Sequence, residues 1–432
     1  MRNTGLVPRR LEEVAISRMA EAPVILLQGP RTVGKSTLLR VLSGRLGGRV
    51  INLDDPTTRD AVRDDPGLFV SGQSTVFIDE YQHVPFLLDS IKAELNRDGS
   101  PGRFVLAGST RFDALPVASQ SLTGRLHRVE ILPLSQGEIR GGQESLLESL
   151  FDDPEGTVSS DISFTTRAGY AELIAKGGLP LALVRAEAAR ARWFDDYIAL
   201  SLERDLQEVG RVRQPSALEP LLRRLASQTA SLLNISRAGA AADLATSTAS
   251  DYLRLFERAF LVRRLPAWGK TLRSSVVRSP KLHMLDSGIA ARLLRLPPDK
   301  LASPDPTAMQ QFGHLLETFV VGEVFKQASW MEHRPFVGHW RTHDGSEVDI
   351  VVEDGRDGSV VGIKVKAGTR IYSRERKGLR ILRDALGDRF KAGVVLYTGA
   401  HCIRYSGKET GIIALPVDRL WCHGYTNLSP TR

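Results

Sequence analysis

Residues 23–37 read Pro-Val-Ile-Leu-Leu-Gln-Gly-Pro-Arg-Thr-Val-Gly-Lys-Ser-Thr. Pro23 to Gln28 is a short apolar run closed by Gly29, the length and ending of a buried parallel strand. Gly29 to Ser36 then fits G-x-x-x-x-G-K-S at every fixed position. Gly29 and Gly34 let the backbone turn so that its N–H groups face a β-phosphate, and a helix N-terminus adds partial positive charge. Lys35 is expected to reach the β- and γ-phosphates of ATP, Ser36 to ligate Mg²⁺ through its hydroxyl, and Thr37 to lie near the α-phosphate. A chance glycine-rich turn would give the same letters. Here, however, the motif follows a strand and opens a helical pattern from Lys35 to about Leu46, as the mechanism requires.

Four further strands follow. They are expected at 50–56, 74–80, 102–110 and 127–135, with helix-length gaps between them. That alternation predicts an α/β fold, a mostly parallel sheet with helices on both faces. Polar residues gather at the strand C-terminal ends, where such sheets bind ligands. The third strand, Val76-Phe77-Ile78-Asp79-Glu80, turns from apolar to doubly acidic. Buried carboxylates are costly unless they meet a cation or solvent. Asp79 is expected to hold Mg²⁺, and Glu80 to activate the attacking water. Ser109 and Thr110 end the fourth strand and would face the γ-phosphate; a plain helix cap or turn is the competing reading.

Beyond Glu138 the pattern weakens to about Thr166, and Phe151 to Phe164 reads as a loop. Residues 167–270 look helical. Within them, Asn234 to Trp268 has a short helix, an amphipathic helix and a Leu-Val-Arg-Arg-Leu strand, a winged-helix pattern. The last part alternates a helix (312–327), strands (347–353 and 359–365), a helix (377–386) and strands (392–397 and 411–416). The expected division is 1–165, 166–270 and 271–432.

The 432 residues allow about three domains. With 42% hydrophobic and 25% charged residues, disordered, collagen-like and low-complexity classes are excluded. Two cysteines, Cys402 and Cys422, cannot build a disulfide framework or a structural zinc site. Neither a secretory leader nor an apolar run of membrane-spanning length is visible, so a cytoplasmic protein without a membrane partner is expected. The net charge is +8. Residues 251–300 alone carry eleven Lys/Arg against four Asp/Glu. Arg254, Arg258, Arg263, Arg264, Lys270 and Arg273 are candidate phosphate contacts for DNA; a solvated face or a domain interface is the alternative.

Blocks from residue 24 to 421 resemble a family of bacterial and archaeal AAA-type ATPases with an uncharacterised, nuclease-like C-terminal domain. They include LQGPRTVGKST, FIDEYQHVPFLLDSIK, FVLAGST, SLTGRL, LPLSQGE, GGLP, ASDYLRLFERAFLV, KLHMLDSGIAARLL and WRTHDGSEVDIVVE. The resemblance implies an AAA fold for the first domain. It gives Lys35 and Ser36 to nucleotide and metal, Asp79 and Glu80 to the acidic pair, Ser109 to a polar sensor, and Arg125 to an arginine finger, in cis or across a homo-oligomer interface. It also implies a winged-helix module and a C-terminal PD-(D/E)xK nuclease fold.

In that nuclease pattern Glu317 stands for the helical acid, Asp349 for the strand acid and Lys366 for the motif lysine. Lys364 stands where a metal-binding carboxylate belongs. A lysine there is expected to pair with Asp349 or Glu317 and displace the ion, leaving a silent nuclease fold. Glu347 shares a strand face with Asp349 and is the candidate replacement ligand. Two functional readings follow. The first is an ATPase whose hydrolysis drives a conformational switch. The second is a nucleotide-gated module binding DNA or an unknown protein client; an ATP-dependent nuclease is disfavoured by Lys364.

Overall fold

A computed structural model describes residues 6–109, 122–206, 210, 212–269 and 277–422, apart from the side chains of 204 and 205. Val24–Gln28 forms strand β1, buried along its whole length. It lies in a five-stranded parallel sheet with β2 (Arg49–Asn52), β3 (Val76–Asp79), β4 (Phe104–Gly108) and β5 (Leu126–Glu130), in the order β2-β3-β4-β1-β5. Alternate side chains feed two cores. Ile25, Leu27, Phe77 and Val105 meet Leu38, Leu39 and Leu42 of helix Lys35–Leu46. Val24, Leu26, Ile78 and Leu106 meet Leu88, Ile91 and Leu95 of helix Leu87–Arg97. Each such fully buried side chain contributes roughly 1.5–3 kcal/mol. All five strands point the same way, so Gln28, Asn52, Asp79, Gly108 and Glu130 end on one edge.

The weakly patterned stretch after Glu138 contains a helix at Leu146–Asp152 before the irregular segment begins. Helices Arg167–Lys176, Glu187–Leu200 and Leu218–Ala226 follow. Then β6 (Ser231–Leu232), helices Ile235–Ala240 and Thr246–Arg258, β7 (Val262–Leu265) and β8 (Lys281–Met284) make a small antiparallel sheet in the order β6-β8-β7. The expected boundary at 270 falls inside this sheet, because its middle strand is β8. The following helices, Ser287–Leu293 and Pro298–Ala302, also turn back to pack on Arg167–Lys176.

Helix Pro306–Trp330 and β9 (Phe336–Arg341), β10 (Glu347–Glu353), β11 (Val360–Lys366), β12 (Phe390–Tyr397), β13 (Ile403–Arg404) and β14 (Ile412–Pro416) build the last unit. Its mixed sheet runs β13-β14-β12-β11-β10-β9. Helix Ser373–Leu386 covers one face through Leu379 and Leu382, and the long helix covers the other.

The first and last units are joined by buried polar contacts. Gln136 N–H donates to Glu323 Oε2 (2.9 Å), and Lys326 Nζ donates to Leu134 O (3.0 Å) and Glu323 Oε1 (2.6 Å). Leu147 N–H donates to Gln327 Oε1, whose amide donates onward to Leu420 O. No helix among the described residues is long and apolar enough to cross a membrane.

Candidate functional site

The turn between β1 and helix Lys35–Leu46 takes a shape only small residues hold easily. Gly34 has φ +102° and caps the helix from the left-handed region. Thr32 is left-handed as well, at φ +59°. At Gly29 a Cβ would sit 2.3 Å from the Ile131 carbonyl, so β5 closes against the turn and leaves no room for a side chain. Lys35 is buried, and its ammonium donates to the carbonyls of Gly29 (3.1 Å) and Pro30 (2.8 Å), which holds it inside the loop.

Asp79 ends β3 two strands away and accepts a hydrogen bond from the Ser36 side chain. Burial pushes its carboxyl above the usual range, while Ser36 and Lys35 oppose that shift. Its Oδ1 is buried with no hydrogen-bond partner among the described residues. A buried carboxylate with one bare oxygen beside a hydroxyl is the donor set a small divalent cation favours. Ser36 and Asp79 therefore fit Mg²⁺.

Glu80 follows in the left-handed region, φ +52°, a conformation that costs a non-glycine residue about 1–3 kcal/mol. It reverses the chain into the short 3₁₀ turn Tyr81–His83. Gln82 Nε2 then donates both to Glu80 Oε2 and to Ser109 Oγ (3.1 Å), and Ser109 Oγ lies 3.4 Å from the same carboxylate oxygen. The structure thus brings Lys35, Ser36, Asp79, Glu80 and Ser109 to one edge of the sheet. Thr37 follows on the first turn of the same helix. Thr110 lies outside the described residues. Gln82 was not singled out by the motif reading, because it reaches this group only through the left-handed turn at Glu80.

Arg125 is not part of this group. It immediately precedes β5, its carbonyl accepts from Val24 N–H (3.1 Å), and its guanidinium donates to Asn96 (2.8 Å). That is the opposite edge of the sheet, about 16 Å away along a five-residue strand. In this arrangement Arg125 stands apart from the phosphate turn.

The last unit holds a second cluster. Lys364 Nζ donates to Glu347 (2.7 Å) and Asp349 (3.0 Å). Lys281, arriving from β8, donates to Glu317 (2.7 Å) and Asp349 (3.1 Å). Glu317 is thus paired with Lys281 and not with Lys364. Lys366 lies outside the cluster and pairs with Glu375 at 2.9 Å. Burial pushes the Asp349 carboxyl up, but Lys364, Lys281 and the Val365 N–H together hold it well below the usual range. Glu317 goes the other way, pushed up to about 7 by burial and by the Asp349 charge. Two ammonium groups fill the space between three carboxylates. No group of three or more His, Cys, Asp or Glu among the described residues is arranged to hold a metal ion.

Part of the basic window is ion-paired. Arg254 pairs with Asp251, Arg264 with Glu257 (2.6 Å), Arg292 with Asp195 (2.6 Å), and half-buried Arg263 with Glu130 (2.6 Å). Lys281 is buried in the second cluster, and Lys270 and Arg273 lie outside the described residues.

Residues 21–140 match a family model described as an AAA domain. Residues 167–300 and 312–420 match two models described as domains of unknown function, DUF8612 and DUF4143. The uncharacterized proteins Rv2008c of Mycobacterium tuberculosis and Mb2031c of Mycobacterium bovis are each 31% identical over 427 residues, 97% of this chain and 86% of theirs. Among solved structures, a Walker-type ATPase of Pyrococcus abyssi aligns with 68% of this chain and 97% of its own, at 15% identity and a TM-score of 0.41. A RuvB variant of Thermotoga maritima covers 60% of this chain and 93% of its own, at 17% identity and a TM-score of 0.28.

Proposed function

The chain belongs to the same family as the two uncharacterized mycobacterial proteins and carries an AAA-type ATP-binding domain; from that premise we propose that it is a Mg²⁺-dependent ATPase. The observation that carries this is the bare, buried Oδ1 of Asp79 beside the hydroxyl of Ser36, the residue next to Lys35. The Gly29–Gly34 turn offers backbone N–H groups to the phosphates, and Lys35 adds a fixed positive charge. Ser36 and Asp79 would hold the cation, which would neutralise charge on the triphosphate. Glu80 takes the proton of the attacking water, and Ser109 supports the same carboxylate.

Hydrolysis in this reading shifts the middle and last units against the first. The order helix, strand, two helices and two strands over 218–284 supports a winged-helix module. The paired arginines weigh against DNA as its ligand and favour a structural or protein-facing role. The last unit is read as a nuclease-like fold without nuclease chemistry, since Lys364 and Lys281 fill the place of the metal.

The test is ATP binding and turnover. Lys35→Ala is expected to abolish nucleotide binding, and Glu80→Gln to retain binding while stalling hydrolysis. A Glu80→Gln chain that turns over ATP at the wild-type rate would overturn the assignment of the base. Mg²⁺- or Mn²⁺-dependent DNA cleavage abolished by Asp349→Ala would overturn the silent-nuclease reading.

A further inference from the structure

We propose that Gln82 is a positioning residue for Glu80, holding the hydrolytic carboxylate in register with Ser109; this rests on the ATPase reading. The left-handed backbone at Glu80 folds the chain back, so the side chain two places later lies over the carboxylate. Gln82 uses its two amide hydrogens once each, one on Glu80 Oε2 and one on Ser109 Oγ. Ser109 Oγ closes the triangle at 3.4 Å from the same oxygen. Three side chains on two strand ends are thereby locked into one arrangement.

The slot is built for this side chain. At Gly108 a Cβ would meet Gln82 Oε1 at 2.7 Å and the Tyr81 ring at 2.5 Å, so the strand before Ser109 is bare where Gln82 packs. Gln82 Oε1 is itself buried without a hydrogen-bond partner among the described residues. The amide accepts that desolvation cost while its nitrogen grips the carboxylate. Asparagine is a methylene shorter, and glutamate would set a second negative charge against Glu80 and lose the donor.

In the reaction, a water oxygen forms a new bond to the γ-phosphorus as the bond from that phosphorus to ADP breaks. The water proton passes to the Glu80 carboxylate. A glutamate free to rotate would meet the water only part of the time, so fixing it raises turnover without changing affinity for ATP. Gln82 touches neither water nor phosphate in this account and acts through Glu80.

Steady-state hydrolysis and equilibrium ATP binding by the full chain test this. Gln82→Met keeps the volume and removes both donors. Its kcat is expected to fall ~10- to 100-fold, the worth of a hydrogen bond to a charged group, with KM and ATP affinity unchanged. Gln82→Glu, the same length without the donor, is expected to lose a similar factor. In a Glu80→Gln background, Gln82→Met is expected to change the residual rate less than twofold, because its target is already gone. Wild-type turnover by both Gln82 variants, a KM rise that accounts for their loss, or an equal loss in the Glu80→Gln background would overturn the role of Gln82 alone. A wild-type chain that binds ATP without hydrolysing it would overturn the ATPase reading and this assignment together.

Discussion

Arg263 of β7 donates to Glu130 at the end of β5 across 2.6 Å, and its guanidinium also lies over the Phe325 ring at 4.3 Å. One side chain therefore touches the first sheet, the small antiparallel sheet and the long helix of the last unit. Glu130 is the residue before Ile131, whose carbonyl closes on Gly29. The phosphate turn and the middle unit are thus one residue apart through this pair. Arg263→Met is expected to lower stability by about 1–3 kcal/mol, since half-buried Glu130 would lose this guanidinium. Glu130→Gln with Arg263→Met should cost less than the sum of the single changes. Thermal unfolding of the four chains measures the coupling.

Asp79 places function against stability. Its carboxyl is raised by burial, so the ionised form is held at a cost when no cation is present. Asp79→Asn is expected to raise the unfolding midpoint of the nucleotide-free chain. The same change should abolish the further stabilisation that MgATP gives the wild type. Melting curves with and without MgATP separate the two effects.

Arg125 is expected to be dispensable within one chain. Arg125→Ala should leave ATP turnover within twofold at the lowest protein concentration that can be assayed. A loss that grows with protein concentration would instead give Arg125 a role across a subunit interface.

Glu317 predicts a pH dependence with a definite sign. Its carboxyl is raised from 4.5 to about 7 in the folded chain. The unfolded chain therefore releases this proton first as pH rises. Stability from this group is fully present below about 4.5 and lost as pH climbs to about 7. Asp349 acts oppositely: its carboxyl is depressed, so its contribution is present above the ordinary Asp range and lost in acid. Glu317→Gln should flatten the fall of the unfolding midpoint between pH 5 and 7, leaving acid unfolding in place. An unchanged slope in that window would show that Glu317 does not carry it.

Much of this was legible in the letters. The phosphate turn and strands β1, β3 and β4 could be read because each strand is a fully buried apolar run that ends next to glycine or acid. Arg125 directly precedes β5, and in a parallel sheet such a residue sits opposite the strand C-terminal ends. Gln82 and Lys281 were hidden. Gln82 reaches Glu80 only because Glu80 is left-handed, and no propensity foretells a strained glutamate. Lys281 looked like one more charge in a basic window, although a lysine opening the apolar run Lys281–Met284 was itself a sign of a buried partner. That partner, Glu317 with Asp349, comes from a different unit.

The bond from Gln136 N–H to Glu323 joins residues 187 apart in the chain. A ribosome adding about 5–20 residues per second delivers Glu323 roughly 10–40 s after Gln136. Throughout that interval the first sheet must wait with its docking surface uncovered and Leu134 O, Gln136 N–H and Leu147 N–H still in water. Birth of this protein is therefore gated by translation time, and slowing or truncating synthesis between those two points should expose the nascent chain to chaperones and proteases in a way that no change inside the ATP site would.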